Sequence, residues 1–209
     1  MSSAAKEGQR LLLPKPEKLR VAVDVDGVLA ETMEAWIKTF NKLHGTRFKL
    51  KDIDSWASWI KFGISKDEFY RILEGTWENW IEIPPTEPDL AVKVQRAERY
   101  GILDIVTGRT QRTVPAVKQW LTNQGIKYNR FVRVPGWRYK IALGYDVYID
   151  DAPELMPMIP PTPGAFGILY QRPWNMHVID MPRVFKVRTW SQIPSVLEEI
   201  THTKKEIAA

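Results

Sequence analysis

Cysteine is absent from all 209 residues, which removes disulfides, thiolate catalysis and cysteine-ligated zinc in one step. Histidine is nearly as scarce. His44, His177 and His202 stand far apart in the chain, so a histidine-rich metal site is not expected either. No apolar run approaches the roughly 20 residues that cross a bilayer, and the leucines of the N-terminal MSSAAKEGQRLLLPKPEKLR are cut off by Pro14. The chain is therefore expected to be soluble and cytoplasmic, with no membrane partner. Internal repeats and low-complexity tracts are missing too, apart from a charged C-terminal end.

What is present suffices for one enclosed core, since 44% of the residues are hydrophobic. The net charge of +5 is compatible with a polyanionic partner, but the lysines and arginines are spread along the chain. An ordinary basic surface is the simpler reading, and nucleic acid the less favoured partner. The tryptophans are more telling. Nine occur in all, and Trp56, Trp59, Trp77 and Trp80 crowd into one short region.

Hydrophobic period divides the chain into elements. LRVAVDV at 19–25 is apolar at nearly every position, as in a parallel strand covered on both faces. Met33, Trp36, Ile37, Phe40 and Leu43 then recur at helical spacing, with Gly45 at the place of a helix C-terminal glycine. Ser65 and Glu68 have capping-box spacing and open a second helix. The joint IEIPPTEPDL closes this stretch, and beyond it helices and strands alternate. A helix starting at Pro88 leads to the strand GILDIVT, and one through Val117, Trp120 and Leu121 ends at Gly125. FVRV, YDVYID and AFGILY read as further strands, FKVRTW as an edge strand, and Ser191 as the cap of a last helix. Such alternation predicts an α/β doubly wound parallel sheet.

In a sheet of that kind ligands gather outside the carboxyl ends of the strands. The first strand ends on Asp24 and Asp26, the second on Thr107, Gly108 and Arg109, and YDVYI on Asp150 and Asp151, with Lys140 just upstream. Taken singly, an Asp-Gly pair is as readily a turn and an Asp-Asp pair as readily a solvated helix start. Together, carboxylates crowded at the ends of buried strands repel one another and call for positive charge. A lysine and a divalent cation meet that need. All-oxygen ligation points to Mg²⁺, a hard ion that suits phosphate substrates.

DVDGVL, Thr107 after an apolar strand, Lys140 and YIDDAPE, in that order, resemble the four motifs of the haloacid dehalogenase-like phosphohydrolases. The resemblance covers most of the chain from about residue 19. It implies a Rossmann-like core in which Asp24 is the nucleophile, forming an aspartyl-phosphate, and Asp26 the general acid and base. Side chains two apart on an extended strand end face the same side, which suits that division of labour. By the same resemblance Thr107 and the Gly108 amide hold phosphoryl oxygens, and Lys140 neutralises the nucleophile and the transferring group. Mg²⁺ is bound by Asp24, the carbonyl of Asp26 and one carboxylate of the Asp150/Asp151 pair. Arg109 either contacts phosphate or pairs with a local carboxylate. Glu154 is read as part of a helix's first turn.

Asp24 and Thr107 lie 83 residues apart, far more than one crossover needs. In this superfamily the excess resembles a C1 cap, a small helical lid that excludes water and sets specificity. The expected organisation is a tail over 1–18, a core of 19–32 and 84–203, a helical cap over 33–83 and a tail over 204–209. FNKLHG, DIDSW, YQRPWN and VRTWSQI narrow the resemblance to the type C 5'(3')-deoxyribonucleotidases. That implies a nucleoside monophosphate substrate, with Trp56, Trp59, Phe62, Trp77 and Trp80 as candidates for stacking on the base. A small cap needs its own core, however, and most of these rings are expected to serve it. Three other readings stand beside this one. VTGR is reminiscent of polynucleotide 3'-phosphatases, a sugar-phosphate phosphatase shares the same core, and a catalytically retired member would only bind a nucleotide.

Overall fold

The computed structural model describes residues 18–208, so nearly all of the N-terminal tail expected over 1–18 lies outside the described residues. The buried apolar runs form six parallel strands, β1 (Leu19–Val23), β2 (Gly101–Thr107), β3 (Phe131–Arg133), β4 (Val147–Asp150), β5 (Phe166–Tyr170) and β6 (Val184–Val187). They are ordered β3-β2-β1-β4-β5-β6. FKVRTW does supply an edge strand. The α/β parallel sheet expected from the sequence is therefore present.

The helices are α1 (Thr32–His44), α2 (Lys66–Glu78), α3 (Leu90–Ala97), α4 (Val114–Asn123) and α5 (Ile193–Ala208). Their ends follow local chemistry. Gly45 closes α1 in the left-handed conformation at φ 63°, and the Ser65 side chain accepts the Glu68 amide at 3.1 Å to open α2. Two helix starts differ from the sequence reading. α3 begins after Asp89, two residues beyond Pro88. Ser191 lies within a 3₁₀ turn, Trp190–Gln192, that precedes α5, and the Gln192 side chain accepts the Thr189 amide at 3.1 Å there. α5 runs through to Ala208, over most of the segment expected as a tail.

One face of the sheet is covered by α3, α4 and α5, whose Leu90, Val94, Trp120, Leu121, Leu197 and Ile200 share a core with Val21, Val23, Ile105 and Ile149. The other face is covered by turns rather than α-helix, through Tyr145, Leu155, Met156 and Ile159 against Ala22, Val106, Tyr148 and Leu169. Glu154 accordingly sits in a turn and not in a helix. Pro153, Pro157, Pro160, Pro161 and Pro163 account for this, because each lacks an amide donor and obstructs the preceding helical turn.

Between β1 and α3 lies a helical segment with a core of its own, built from Trp36, Phe40, Ile53, Phe62, Phe69 and Ile72. Its two ends run side by side. The Glu31 amide donates to the Pro84 carbonyl and the Thr86 amide to the Leu29 carbonyl, both at 2.8 Å. The proline-rich joint thus pairs with the chain leaving β1.

Candidate active site

Three adjacent strand ends build the site. Val23 at the end of β1 is level with Ile105 of β2 on one side and Ile149 of β4 on the other, and strand order reverses between β1 and β4. Asp24, Thr107 and the Asp150–Asp151 pair are brought together by that register. Lys140 reaches them from the junction of two 3₁₀ turns, Trp137–Tyr139 and Ile141–Leu143. Its Nζ lies 2.8 Å from Asp24 Oδ1 and 2.6 Å from Asp150 Oδ2.

Asp24, Asp150 and Asp151 are buried, and each offers an oxygen within 4.8 Å of the others. Burial foremost, with Asp150 and Asp26 adding to it and Lys140 opposing, pushes the Asp24 carboxyl up to about 7. The Asp151 carboxyl is raised well above the ordinary range by burial, then by Asp24 and Asp150. Burial works against the Lys140 charge, but Asp150 and Asp24 outweigh it and hold the ammonium above its usual pKa. One ammonium among three buried carboxylates leaves negative charge over, which a hard divalent cation on oxygen ligands fits. Within the pair, Asp150 has both oxygens engaged, Oδ2 by Lys140 and Oδ1 by the Ala152 amide at 2.9 Å. The Asp151 carboxylate accepts only the Trp174 indole N–H, on Oδ2 at 3.0 Å, among the described residues.

Gly27 makes this crowding feasible. Its φ is +72°, and a Cβ there would stand 2.1 Å from Asp151 Oδ2. Gly27→Ala is expected to displace Asp151 and to destabilise the protein by roughly 1–3 kcal/mol. A urea midpoint equal to that of the wild type would refute this.

Asp26 faces the cavity and is held from two sides. Its Oδ1 accepts the Trp77 indole N–H at 2.8 Å, and its Oδ2 lies 3.1 Å from Arg109 Nε. Arg109 in turn stands 3.6 Å from Glu74 of α2. It is therefore placed among local carboxylates, the second of the two roles open to it from sequence. Thr107 is fully buried behind the cavity wall, where its hydroxyl accepts the Arg109 amide at 3.2 Å. In this arrangement it shapes the loop that presents Gly108 and Arg109.

A cavity of about 890 Å³ opens over these groups, with Asp24, Asp26, Lys140 and Asp151 on its floor. Of the four tryptophans picked from sequence, Trp56 lines it and Trp59, Trp77 and Trp80 do not. Trp59 packs edge-on against Phe69, Trp80 against the sheet core, and Trp77 is wholly buried in that core. Phe62 belongs to the helical segment's own core. The aromatic wall is completed instead by Phe69, Tyr70, Trp137 and Trp174.

In the loop after β5, YQRPWN entered the sequence reading only as a mark of the family, with no place in the site given to its residues. Arg172 forms a largely buried ion pair with Glu31, and Asn175 Nδ2 donates to the carbonyls of Asp151 and Tyr170 at 2.9 Å each. The signal was there in YQRPWN, because β5 borders β4 and its end opens on the same crevice.

A family model described as "5' nucleotidase, deoxy (Pyrimidine), cytosolic type C protein" matches residues 18–201. No curated protein is matched significantly by the sequence. Among solved structures, a haloacid dehalogenase-like hydrolase from Xanthomonas campestris superposes with a TM-score of 0.58 at 14% identity, over 92% of this chain and 100% of that one. A haloacid dehalogenase-like hydrolase from Streptococcus pneumoniae gives 0.60 at 14% identity, over 86% and 98%. A predicted phosphoglycolate phosphatase from Haemophilus somnus gives 0.56 at 12% identity, over 86% and 97%. At such identities the likeness is one of fold.

Proposed function

This chain belongs to the cytosolic type C 5' nucleotidase family and is a phosphohydrolase; we propose that it is a Mg²⁺-dependent phosphatase of nucleoside monophosphates, working through an aspartyl-phosphate on Asp24. The observation that carries this reading is the cluster of Asp24, Lys140, Asp150 and Asp151 at the reversal of strand order, beneath an aromatic-walled cavity. The residues between β1 and α3 act as the cap, and their contribution of Trp56, Phe69 and Tyr70 to the cavity supports a small enclosed substrate.

A carboxylate oxygen of Asp24 attacks phosphorus as the bond to the leaving oxygen breaks, and that oxygen takes the electron pair and a proton from the Asp26 carboxyl. Asp26, now a carboxylate, removes a proton from the water that hydrolyses the acyl phosphate. Lys140 balances charge on Asp24 and on the transferring group, and the Gly108 amide faces the phosphoryl oxygens. Asp24, the Asp26 carbonyl and Asp151, the member of its pair with an oxygen unclaimed, would hold Mg²⁺, which supplies charge neutralisation to the phosphoryl group when bound. The leaving nucleoside lies against Trp56, Tyr70 and Trp137, where stacking contributes about 1–3 kcal/mol per base.

The test is phosphate release from nucleoside 5'- and 3'-monophosphates, sugar phosphates and a 3'-phosphorylated oligonucleotide. Release is expected from a mononucleotide, abolished by EDTA and restored by Mg²⁺. Faster turnover of the oligonucleotide would favour the polynucleotide reading, and turnover of sugar phosphates that ignores Trp56→Ala would favour a sugar-phosphate phosphatase. No release from any of them would favour a retired member.

A further inference from the structure

We propose that Trp77 is a positioning residue for the acid–base carboxylate Asp26, so that the proton-transfer group is set only when α2 is docked on the core. The inference rests on the phosphohydrolase reading above and goes beyond it, because it gives a task to a tryptophan that touches no substrate.

Trp77 sits in the last turn of α2, within the segment between β1 and α3, yet its side chain leaves that segment's aromatic core and enters the sheet core. It is 0% exposed and lies edge-on to Trp120 with ring centroids 6.2 Å apart. Trp120 is itself fixed, donating its indole N–H to the Ile83 carbonyl at 2.8 Å. The Trp77 ring therefore has little freedom, and its N–H reaches Asp26 Oδ1 at 2.8 Å.

A buried indole N–H needs an acceptor, and an internal carbonyl serves Trp120, as Val28 serves Trp190. Trp77 instead uses a carboxylate whose side chain is 23% exposed and lines the cavity. Among the described residues that carboxylate has one other side-chain partner, the Arg109 guanidinium. Asp26 stands in a tight turn before Gly27, two residues from Asp24, where like charge favours swinging outward. Its second contact, Arg109 Nε at 3.1 Å, lacks the alignment of a hydrogen bond. Trp77 thus supplies the one well-formed side-chain hydrogen bond on Asp26 among the described residues. Small displacements of a proton donor cost much more rate than binding. The same helix carries Tyr70 and Glu74 to the cavity, so undocking α2 would release the wall and the proton donor together.

The test compares leaving groups. Protonation by Asp26 matters for an alkyl leaving oxygen, as in a nucleoside 5'-monophosphate, and little for p-nitrophenyl phosphate, whose aryl oxygen departs as an anion. Trp77→Phe keeps an aromatic ring, smaller than the indole, and removes the N–H. It is expected to lower kcat/KM for the nucleotide roughly ten- to a hundred-fold and for the aryl ester less than about threefold. Trp190→Phe removes another buried indole N–H, one that the Val28 carbonyl accepts, and is expected to change both by less than about threefold. Equal losses on the two esters in Trp77→Phe, or no loss on either, would overturn the positioning role. Wild-type protein inactive on both esters would overturn the phosphatase reading, and this proposal with it. Should Trp77→Phe not fold, the Trp77 indole Nε1–H resonance decides the matter. It is expected to move upfield in Asp26→Ala, and a resonance that stays in place would overturn the hydrogen bond itself.

Discussion

Asp24→Asn is expected to abolish phosphate release, by at least roughly a thousandfold, while leaving the metal-free protein as heat-stable as the wild type or more so. The first half follows from chemistry, since an amide oxygen is a poor nucleophile and no neighbouring group can take over the attack. Asp26 is bound to Trp77, Asp150 has both oxygens engaged, and Asp151, held by the Trp174 indole, is assigned to the metal. The second half follows from burial. Burial and neighbouring carboxylates hold the Asp24 carboxyl at about 7, against about 3.9 for an exposed aspartate. Between those values the folded protein binds the proton more tightly than the unfolded chain does. The stabilisation is complete at acid pH and is lost as pH rises through about 7. Asparagine has no such titration, and Lys140 keeps Asp150 at 2.6 Å in its absence. Thermal melts in EDTA should therefore show the variant gaining on the wild type from about pH 4 to 7 and levelling off above. Wild-type phosphate release by the variant would sink the covalent mechanism, and a pH-independent gap would sink the account of the charge.

The strand ends were legible because their logic is local. An apolar run closing on a charge, as LRVAVDVD and YDVYIDD do, is hard to reconcile with a simple turn once four such groups recur in order. Helix ends with a dedicated residue, Ser65 and Gly45, were equally plain. What stayed hidden depended on which neighbour a side chain meets. Trp56 and Trp77 are alike in composition and region, yet one faces the cavity and the other the sheet core, a choice made when α2 docks. Thr107 ends its strand as expected, but the bond to the Arg109 amide turns its hydroxyl behind the wall. The acidic pair Asp150–Asp151 suggests a helix start, whereas the prolines that follow decide for turns.

Asp104 was the least visible of all, a carboxylate inside the apolar strand GILDIVT whose partners come 25 to 41 residues later. It is 1% exposed. Oδ1 accepts from Asn129 Nδ2 at 2.8 Å and from the Arg130 amide at 3.0 Å, and Oδ2 from Arg130 Nε at 3.0 Å, Nη2 at 2.8 Å and the Tyr145 hydroxyl at 2.7 Å. One side chain thus ties β2 to the segments that lead into β3 and β4, and of these strands β2 and β4 carry site residues at their ends. Asp104→Ala is expected to destabilise the protein by about 3 kcal/mol, less than a fully buried pair would lose, because the Arg130 side chain is 58% exposed and can turn to water. The Tyr145 hydroxyl, in a residue only 4% exposed, has no such escape. For a chain of this length that is a fall in Tm of roughly 6–12 °C. Burial alone would raise the Asp104 pKa, but the hydrogen bonds from Arg130, Asn129 and Tyr145 outweigh it and hold it below the ordinary value. The charge therefore contributes fully above the unfolded carboxylate's pKa, about 3.9, and its contribution is lost as pH falls through the lower folded value. Urea unfolding should show the gap between wild type and Asp104→Ala shrinking in acid while holding constant near neutrality. A gap that persists unchanged well below pH 3.9 would mean that shape, and not the charge, is what Asp104 provides.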